Sequence, residues 1–340
     1  MSEKSKISWT DSTINFWSGC TKVSAGCAHC YAEARDARML QEKVIHFGKG
    51  APRLKSKSAV KEALRLNAKP WICDLCGGSF SEDQKREHEC VDRGGSQMPF
   101  HRRRIFSLSL GDWLDDEVPT EWLAEMLDTV RRCDQVTWIL CSKRWENFTP
   151  RLTDVMRWYE DHPPATNGDK TWLWILDWIS TDKIPSNIIG LCSVENQAMA
   201  DEHIPQFLKV PLACRGLSLE PLIGSVDLTK WIEFQEPQDG GRAYKLDWLI
   251  IGGESGDKAR PCNVDWIRSL VQQGRAAGVP VFVKQMGANP VMDFSTVTSD
   301  FIEKRGENAT PIGLIDKKGG NPAEWPADLR VQNWPNLQSI

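Results

Sequence analysis

No stretch of the 340-residue sequence approaches the roughly 18 uninterrupted apolar residues of a helical membrane span, so no membrane partner is expected. The opening run, Met1-Ser-Glu-Lys-Ser-Lys6, leads into Trp9 without the apolar core of an export signal. A cytoplasmic protein is expected, and disulfides rarely persist there. The eleven cysteines are therefore read as metal ligands and buried thiols rather than cross-links. Net positive charge is missing too. With 42 Lys and Arg against 46 Asp and Glu the balance is −4, which argues against a generic nucleic-acid coat. A content of 41% hydrophobic and 26% charged residues leaves a soluble globular chain long enough for either a single barrel-sized domain or two ordinary ones.

What is present begins with residues 19–33, GCTKVSAGCAHCYAE. Cys20, Cys27 and Cys30 stand at C-x6-C-x2-C spacing. Three thiolates on one short loop can hold three corners of a cubane [4Fe–4S] cluster, leaving the fourth iron open. They equally supply three of the four tetrahedral ligands of zinc. The spacing alone does not decide between them.

A second group lies in residues 70–100, where Cys73-Asp-Leu-Cys76 is followed by His88-Glu-Cys90. C-x2-C-x11-H-x-C, with Gly77-Gly78 after the first pair, is the pattern of a structural Zn2+ site. An excursion this short and this poor in apolar residues needs such a staple. By contrast, Cys133, Cys141, Cys192, Cys214 and Cys262 have no metal spacing and read as buried thiols. Cys141 and Cys192, at expected strand ends, are candidate hydrogen-atom donors, with Cys141 retained as a catalytic candidate.

From about residue 103, short β-branched runs alternate with helical patterns. Strands are expected at 104–109, 136–141, 188–192, 214–218, 246–251 and 279–283, with one more near Ile7-Ser-Trp9. Amphipathic helices are expected near 119–132, 196–208 and 264–276. In the first, Trp122, Leu123, Met126, Leu127 and Val130 share a face; Asn263 caps the last. Such alternation gives a parallel sheet, and so an α/β protein built as a complete or partial (β/α) barrel of the TIM type, with a flat doubly wound sheet as the alternative. The barrel is preferred because polar residues recur at the strands' C-terminal ends: Ser109, Gly111 and Asp112; Ser142, Lys143 and Arg144; Ser193 and Glu195; Glu220; Gly252, Gly253, Glu254 and Ser255; Lys284 and Gln285. The expected organisation is one barrel-type domain over 1–340. It carries the 70–100 insert, an aromatic-rich excursion over 150–186 that suits a lid or partner surface, and a turn-rich wrap over 288–340.

If the first cysteine triad holds a cluster at a barrel mouth, its open iron is suited to S-adenosylmethionine, which one electron cleaves to a 5′-deoxyadenosyl radical. Ser109, Asp112, Ser142, Lys143, Ser193, Glu195, Glu220, Gly252, Gly253, Glu254 and Ser255 are the cofactor-pocket candidates. Glycines admit close backbone approach and carboxylates hold an ammonium or ribose hydroxyl. Lys284 is a further catalytic candidate and can donate to a carboxylate or phosphate. Residues 49–104 hold thirteen Lys and Arg against seven Asp and Glu, a local +6, and Arg102, Arg103 and Arg104 are candidate phosphate contacts. For each of these a tight turn, a helix cap or a solvated surface is the simpler alternative.

Seven segments match in order a family known from phages. They are 19–32 (GCTKVSAGCAHCYA), 105–112 (IFSLSLGD), 142–145 (SKRW), 192–204 (CSVENQAMADEHI), 218–224 (SLEPLIG), 252–261 (GGESGDKARP) and 284–287 (KQMG). The chain thus resembles the phage-associated three-Cys-motif family of uncharacterised function, which is similar to radical S-adenosylmethionine enzymes such as spore photoproduct lyase. Residues 324–330 resemble the family's C-terminus as well. The resemblance implies a radical-type barrel with Cys20, Cys27 and Cys30 as cluster ligands and Tyr31, after the last of them, near the chemistry. It further implies a nucleic-acid substrate undergoing base or nucleotide repair or modification, an electron donor such as flavodoxin or ferredoxin, and a phage- or bacterium-encoded gene. Typical radical enzymes use C-x3-C-x2-C, so the longer first interval is a departure. Two alternatives stand beside this reading: a non-catalytic zinc-containing protein that binds nucleic acid or mediates phage–host interaction, and a radical enzyme acting on peptide or protein.

Overall fold

The structure is a computed structural model, and it describes residues 4–39, 44–88, 90, 100–163, 168–181, 183–233, 245–293 and 309–336. Seven strands lie side by side in chain order: β1 (Ser12–Ile14), β2 (Arg104–Ser107), β3 (Thr137–Ser142), β4 (Ile188–Ser193), β5 (Cys214–Leu219), β6 (Trp248–Gly252) and β7 (Val281–Gln285). They form a parallel sheet, which is compatible with a partial (β/α) barrel. β4, β5 and β6 are buried along their whole length, which explains their continuous apolar runs: a parallel strand covered on both faces has no reason to alternate. The expected first strand falls at Ser12–Ile14 instead of 7–9. Thr10 is tied there through its hydroxyl to the Arg104 carbonyl at 2.9 Å, and Ser12 pairs with Ile105.

The chain divides within β4 into two compact units. The first comprises Met1–Thr21, Glu42–Gly190 and Pro211–Ala213. It contains β1 to β3, with α1 (Thr120–Arg132) between β2 and β3 and with α2 (Phe148–Asp161) and α3 (Gly168–Ile179) after β3. α1 buries Leu123, Met126, Leu127 and Val130, the face its sequence marks. The 150–186 excursion is largely α2 and α3, packed against α1 and burying Leu152, Val155, Ile175 and Trp178. Tyr159 donates to the Ala124 carbonyl (3.2 Å), and Thr171 donates to Asp128 (2.8 Å), which Arg131 also contacts. The same unit carries a small antiparallel sheet in the order Ser79–Phe80, Trp71–Cys73, Phe100–Arg102, with a six-residue helix, Glu82–Glu87, closed by a Ser81–Gln84 capping box.

The second unit comprises Lys22–Gln41, Leu191–Val210 and Cys214–Ile340. Helices Tyr31–Met39, Gln197–Leu208 and Val264–Ala276 belong to it, the last capped by the Asn263 side chain as expected. The C-terminal segment runs along the outer edge of β7: Val283 N–H donates to the Val331 carbonyl and Asn333 N–H to the Val281 carbonyl. It thereby satisfies an edge strand that would otherwise offer open hydrogen-bonding groups. No helix among the described residues is long and apolar enough to cross a membrane.

Candidate metal centre

In the small insert, the turn between strands Trp71–Cys73 and Ser79–Phe80, closed by the Cys73 N–H donating to the Gly78 carbonyl (3.1 Å), brings Cys73 and Cys76 together. Gly77 adopts a positive φ of 67°, and its N–H donates back to the Cys73 carbonyl at 2.8 Å. Only glycine takes that conformation without strain. The capped helix Glu82–Glu87 then returns the chain to deliver His88, with Cys90 two residues on. The His88 ring packs against Phe80 (4.1 Å between centroids) and Phe100 (5.8 Å), which fixes its plane.

The donor atoms of Cys73, Cys76, His88 and Cys90 all lie within 4.8 Å of one another. Among the described residues this is the one group of three or more metal-type ligands so gathered. Cys73 Sγ is 3.9 Å from Cys90 Sγ, and Cys76 Sγ is 3.6 Å from His88 Nε2. A tetrahedral zinc ion with bonds of ~2.3 Å to sulfur and ~2.0–2.1 Å to nitrogen has ligand edges of about 3.8 and 3.5 Å. The group can hold a metal such as zinc. Burial opposes ionisation of Cys73, but the N–H groups of Cys76 and Leu75 and the His88 and Cys76 side chains bring its thiol down to about 7. Desolvation and the neighbouring thiols Cys73 and Cys76 push Cys90 up to about 11. Binding a cation here releases the thiol protons, so affinity depends on pH.

Around this group the predicted cationic surface is thinner than the sequence count. Arg103 is only 2% exposed; its guanidinium donates to Ser12 Oγ (2.9 Å), Ser79 Oγ and the Lys69 carbonyl, and so locks the insert to β1. Arg104 pairs with Asp11 (3.0 Å), which also accepts from His101. Arg53 is buried with Asp115 and Glu117, and Lys55 and Arg65 pair with Glu125 and Glu62. Arg102 remains exposed, 5.8 Å from the Trp71 ring. Lys49, Lys57, Lys61 and Lys69 are exposed as well.

The other predicted site residues stand after the sheet strands. In the first unit, Asp112 gathers Ser142 Oγ (2.7 Å), the Lys143 N–H (3.2 Å) and Arg144 Nη1 (2.8 Å). Both terminal nitrogens of Arg144 are 3.6 Å from Cys20 Sγ. Burial and the Asp112 and Asp115 carboxylates push the Cys20 thiol up to about 12 against the pull of Arg144. Ser109 bonds the Asn15 side chain, and Cys141 is half-buried in β3. In the second unit, Glu195 accepts the Gly26 N–H at 2.8 Å. Glu254 accepts from His29 Nδ1 (3.2 Å) and from the backbone N–H, Nε and Nη2 of Arg260, whose Nη1 reaches the Ala25 carbonyl. Three residues after strands β4 and β6 thus fasten the loop that carries Cys27 and Cys30. Glu220 forms an ion pair with Lys284. Gly253 exchanges hydrogen bonds with Gln285, while Gly252 closes β6. Ser193 is buried, Ser255 half-buried, and Tyr31 opens its helix 51% exposed. Cys133, Cys192, Cys214 and Cys262 are buried.

A family profile described as "Protein of unknown function (DUF5131)" matches residues 4–310. The chain belongs to that family. No curated protein and no solved structure matches it. His29, Arg53 and Arg260 escape sequence reasoning. His29 and Arg260 lie inside the matched segments 19–32 and 252–261 without being singled out there, and Arg53 lies in none of the matched segments.

Proposed function

We propose that this DUF5131 member is a radical S-adenosylmethionine-type iron–sulfur enzyme acting on nucleic acid. Cys20, Cys27 and Cys30 would hold a [4Fe–4S] cluster, and Cys73, Cys76, His88 and Cys90 a structural zinc. One observation carries this reading: within each unit the groups that fasten a cysteine segment follow the C-terminal ends of parallel strands, Arg144 on Cys20 in the first, and Glu195 and Glu254 on the loop of Cys27 and Cys30 in the second. The C-terminal ends of parallel strands are where barrels keep their chemistry. The donor set fits, being three thiols and N–H donors aimed at sulfur.

The chemistry such a cluster supplies when bound is one-electron cleavage of S-adenosylmethionine to methionine and a 5′-deoxyadenosyl radical. This chain's residues hold and orient. Glu195 fixes Gly26, Glu254 with Arg260 fixes His29 and Ala25, and Asp112 fixes Arg144. The Glu220–Lys284 pair places a carboxylate and an ammonium side by side for polar ends of cofactor or substrate. Exposed Lys57, Lys61 and Lys69 support a phosphate-bearing substrate. The test is anaerobic turnover with dithionite and S-adenosylmethionine. 5′-Deoxyadenosine formation that rises with added DNA or RNA and vanishes in Cys27→Ser supports the reading; none in reconstituted protein overturns it.

The near-tetrahedral edges of the Cys3His group favour a second reading, a non-catalytic zinc-containing nucleic-acid-binding protein. It predicts full binding by protein free of iron.

A further inference from the structure

Arg144 follows β3 by two residues and is 4% exposed, yet its guanidinium is not spent on a single carboxylate. One edge meets Asp112 Oδ2 at 2.8 Å through Nη1, and Nη2 donates to the Thr21 carbonyl at 2.5 Å. Both nitrogens also stand 3.6 Å from Cys20 Sγ. The backbone is fixed as firmly as the side chain: the Arg144 N–H donates to Ser142 Oγ at 2.8 Å, and that hydroxyl donates to Asp112 Oδ1 at 2.7 Å. Asp112 also accepts the Leu114 N–H at 3.0 Å. A planar cation held from three sides has little freedom to turn away from the sulfur.

We infer that Arg144 tunes the reduction potential of a metal centre ligated through Cys20, acting as a positioning residue through N–H···S hydrogen bonds, with Asp112 and Ser142 holding it in place. The inference rests on the iron–sulfur reading above. Hydrogen bonds to ligating sulfur and a nearby positive charge both favour the electron-rich, reduced state, so they raise the potential. Burial strengthens the effect because solvent does not screen it. A lysine in this place keeps the charge but not the two-pronged geometry.

The test is the midpoint potential of the anaerobically reconstituted protein, followed by EPR during a dithionite-mediated titration, with iron content measured on each sample. Arg144→Lys and the paired change Arg144→Met with Asp112→Asn are compared with the wild type. The pair removes both charges together and leaves no buried carboxylate unmatched. The paired variant is expected to retain iron and to be at least about tenfold harder to reduce, or about 59 mV lower for one electron. Arg144→Lys should fall between it and the wild type. An unchanged midpoint at unchanged iron content overturns the inference and leaves the iron–sulfur reading standing. Wild-type protein that takes up no iron overturns both. A variant that merely loses iron gives Arg144 a structural role and also overturns the inference.

Discussion

The carboxylate of Glu195 and the backbone of Gly26 are in direct contact: Oε1 accepts the Gly26 N–H at 2.8 Å, and a Cβ built on Gly26 would lie 2.8 Å from Glu195 Cδ. A fully buried carboxylate thus occupies the space that any side chain at residue 26 would need. Gly26→Ala should cost about 1–3 kcal/mol through overpacking. Glu195→Ala should cost a similar ~1–3 kcal/mol by leaving the buried N–H without its acceptor. Both should lower metal retention at Cys27 and Cys30. Denaturant midpoints and metal analysis check this; unaltered values for Gly26→Ala would show the loop to be free of Glu195.

The Cys73, Cys76, His88 and Cys90 group should bind one zinc per chain, lost in Cys76→Ser. Proton competition sets the pH dependence, because every thiol must shed its proton to ligate. With the Cys73 thiol at about 7, affinity should fall steeply as pH drops below neutrality. A chromogenic chelator reports the release, and limited proteolysis between residues 71 and 102 should accelerate with it. Metal loss without new cleavage would separate the ion from the insert's fold.

Much of this was legible beforehand, for physical reasons. Strands such as Ile188–Ser193 are buried on both faces and announce themselves as apolar runs, and α1 and the helix Val264–Ala276 present one apolar stripe each. Ligands of a single ion close together in sequence are visible as spacing, so the Cys3His group could be named. The roles of the arginines were not legible. Arg102, Arg103 and Arg104 are three identical letters, but the first is exposed, the second buried between Ser12 and Ser79, and the third paired with Asp11. Those fates depend on partners tens of residues away. The aromatic-rich stretch after residue 150 looked like an excursion because Trp172, Trp174 and Trp178 obscure its helical stripe. Its buried residues, Ile175 and Trp178, emerge only once α1 is beside them.

The three arginines give a prediction of their own. Arg103→Ala should destabilise the protein by about 1–3 kcal/mol, because the buried Ser12 hydroxyl loses the Arg103 hydrogen bond. It should leave the salt dependence of nucleic-acid binding unaltered in the folded fraction. Lys61→Ala and Lys69→Ala should do the reverse, each reducing the slope of log K against log salt by about 0.7–0.9 with unchanged stability. Fluorescence anisotropy across a salt series separates the two outcomes.

Acid should weaken both units. Burial works against ionisation of Asp11, but His101 and Arg104 hold its carboxyl well below the ordinary value. Glu254 is likewise lowered from 4.5: burial opposes, and Arg260 and His29 prevail. A depressed carboxylate contributes stability that is complete above its unfolded pKa and is lost as pH falls through the folded one. Denaturant midpoints should therefore hold from about pH 7 to pH 5 and drop below about pH 4.5. Glu254→Gln should lose about 1.5–3 kcal/mol at neutral pH and show a shallower acid limb.

The most direct test of the central claim is iron, sulfide and zinc analysis of anaerobically purified and reconstituted protein, with EPR of the dithionite-reduced sample before and after S-adenosylmethionine. About four irons and four sulfides are expected beside one zinc, with a brown absorbance shoulder and an EPR signal that changes when the cofactor is added. Zinc alone, in colourless protein after reconstitution, would contradict it.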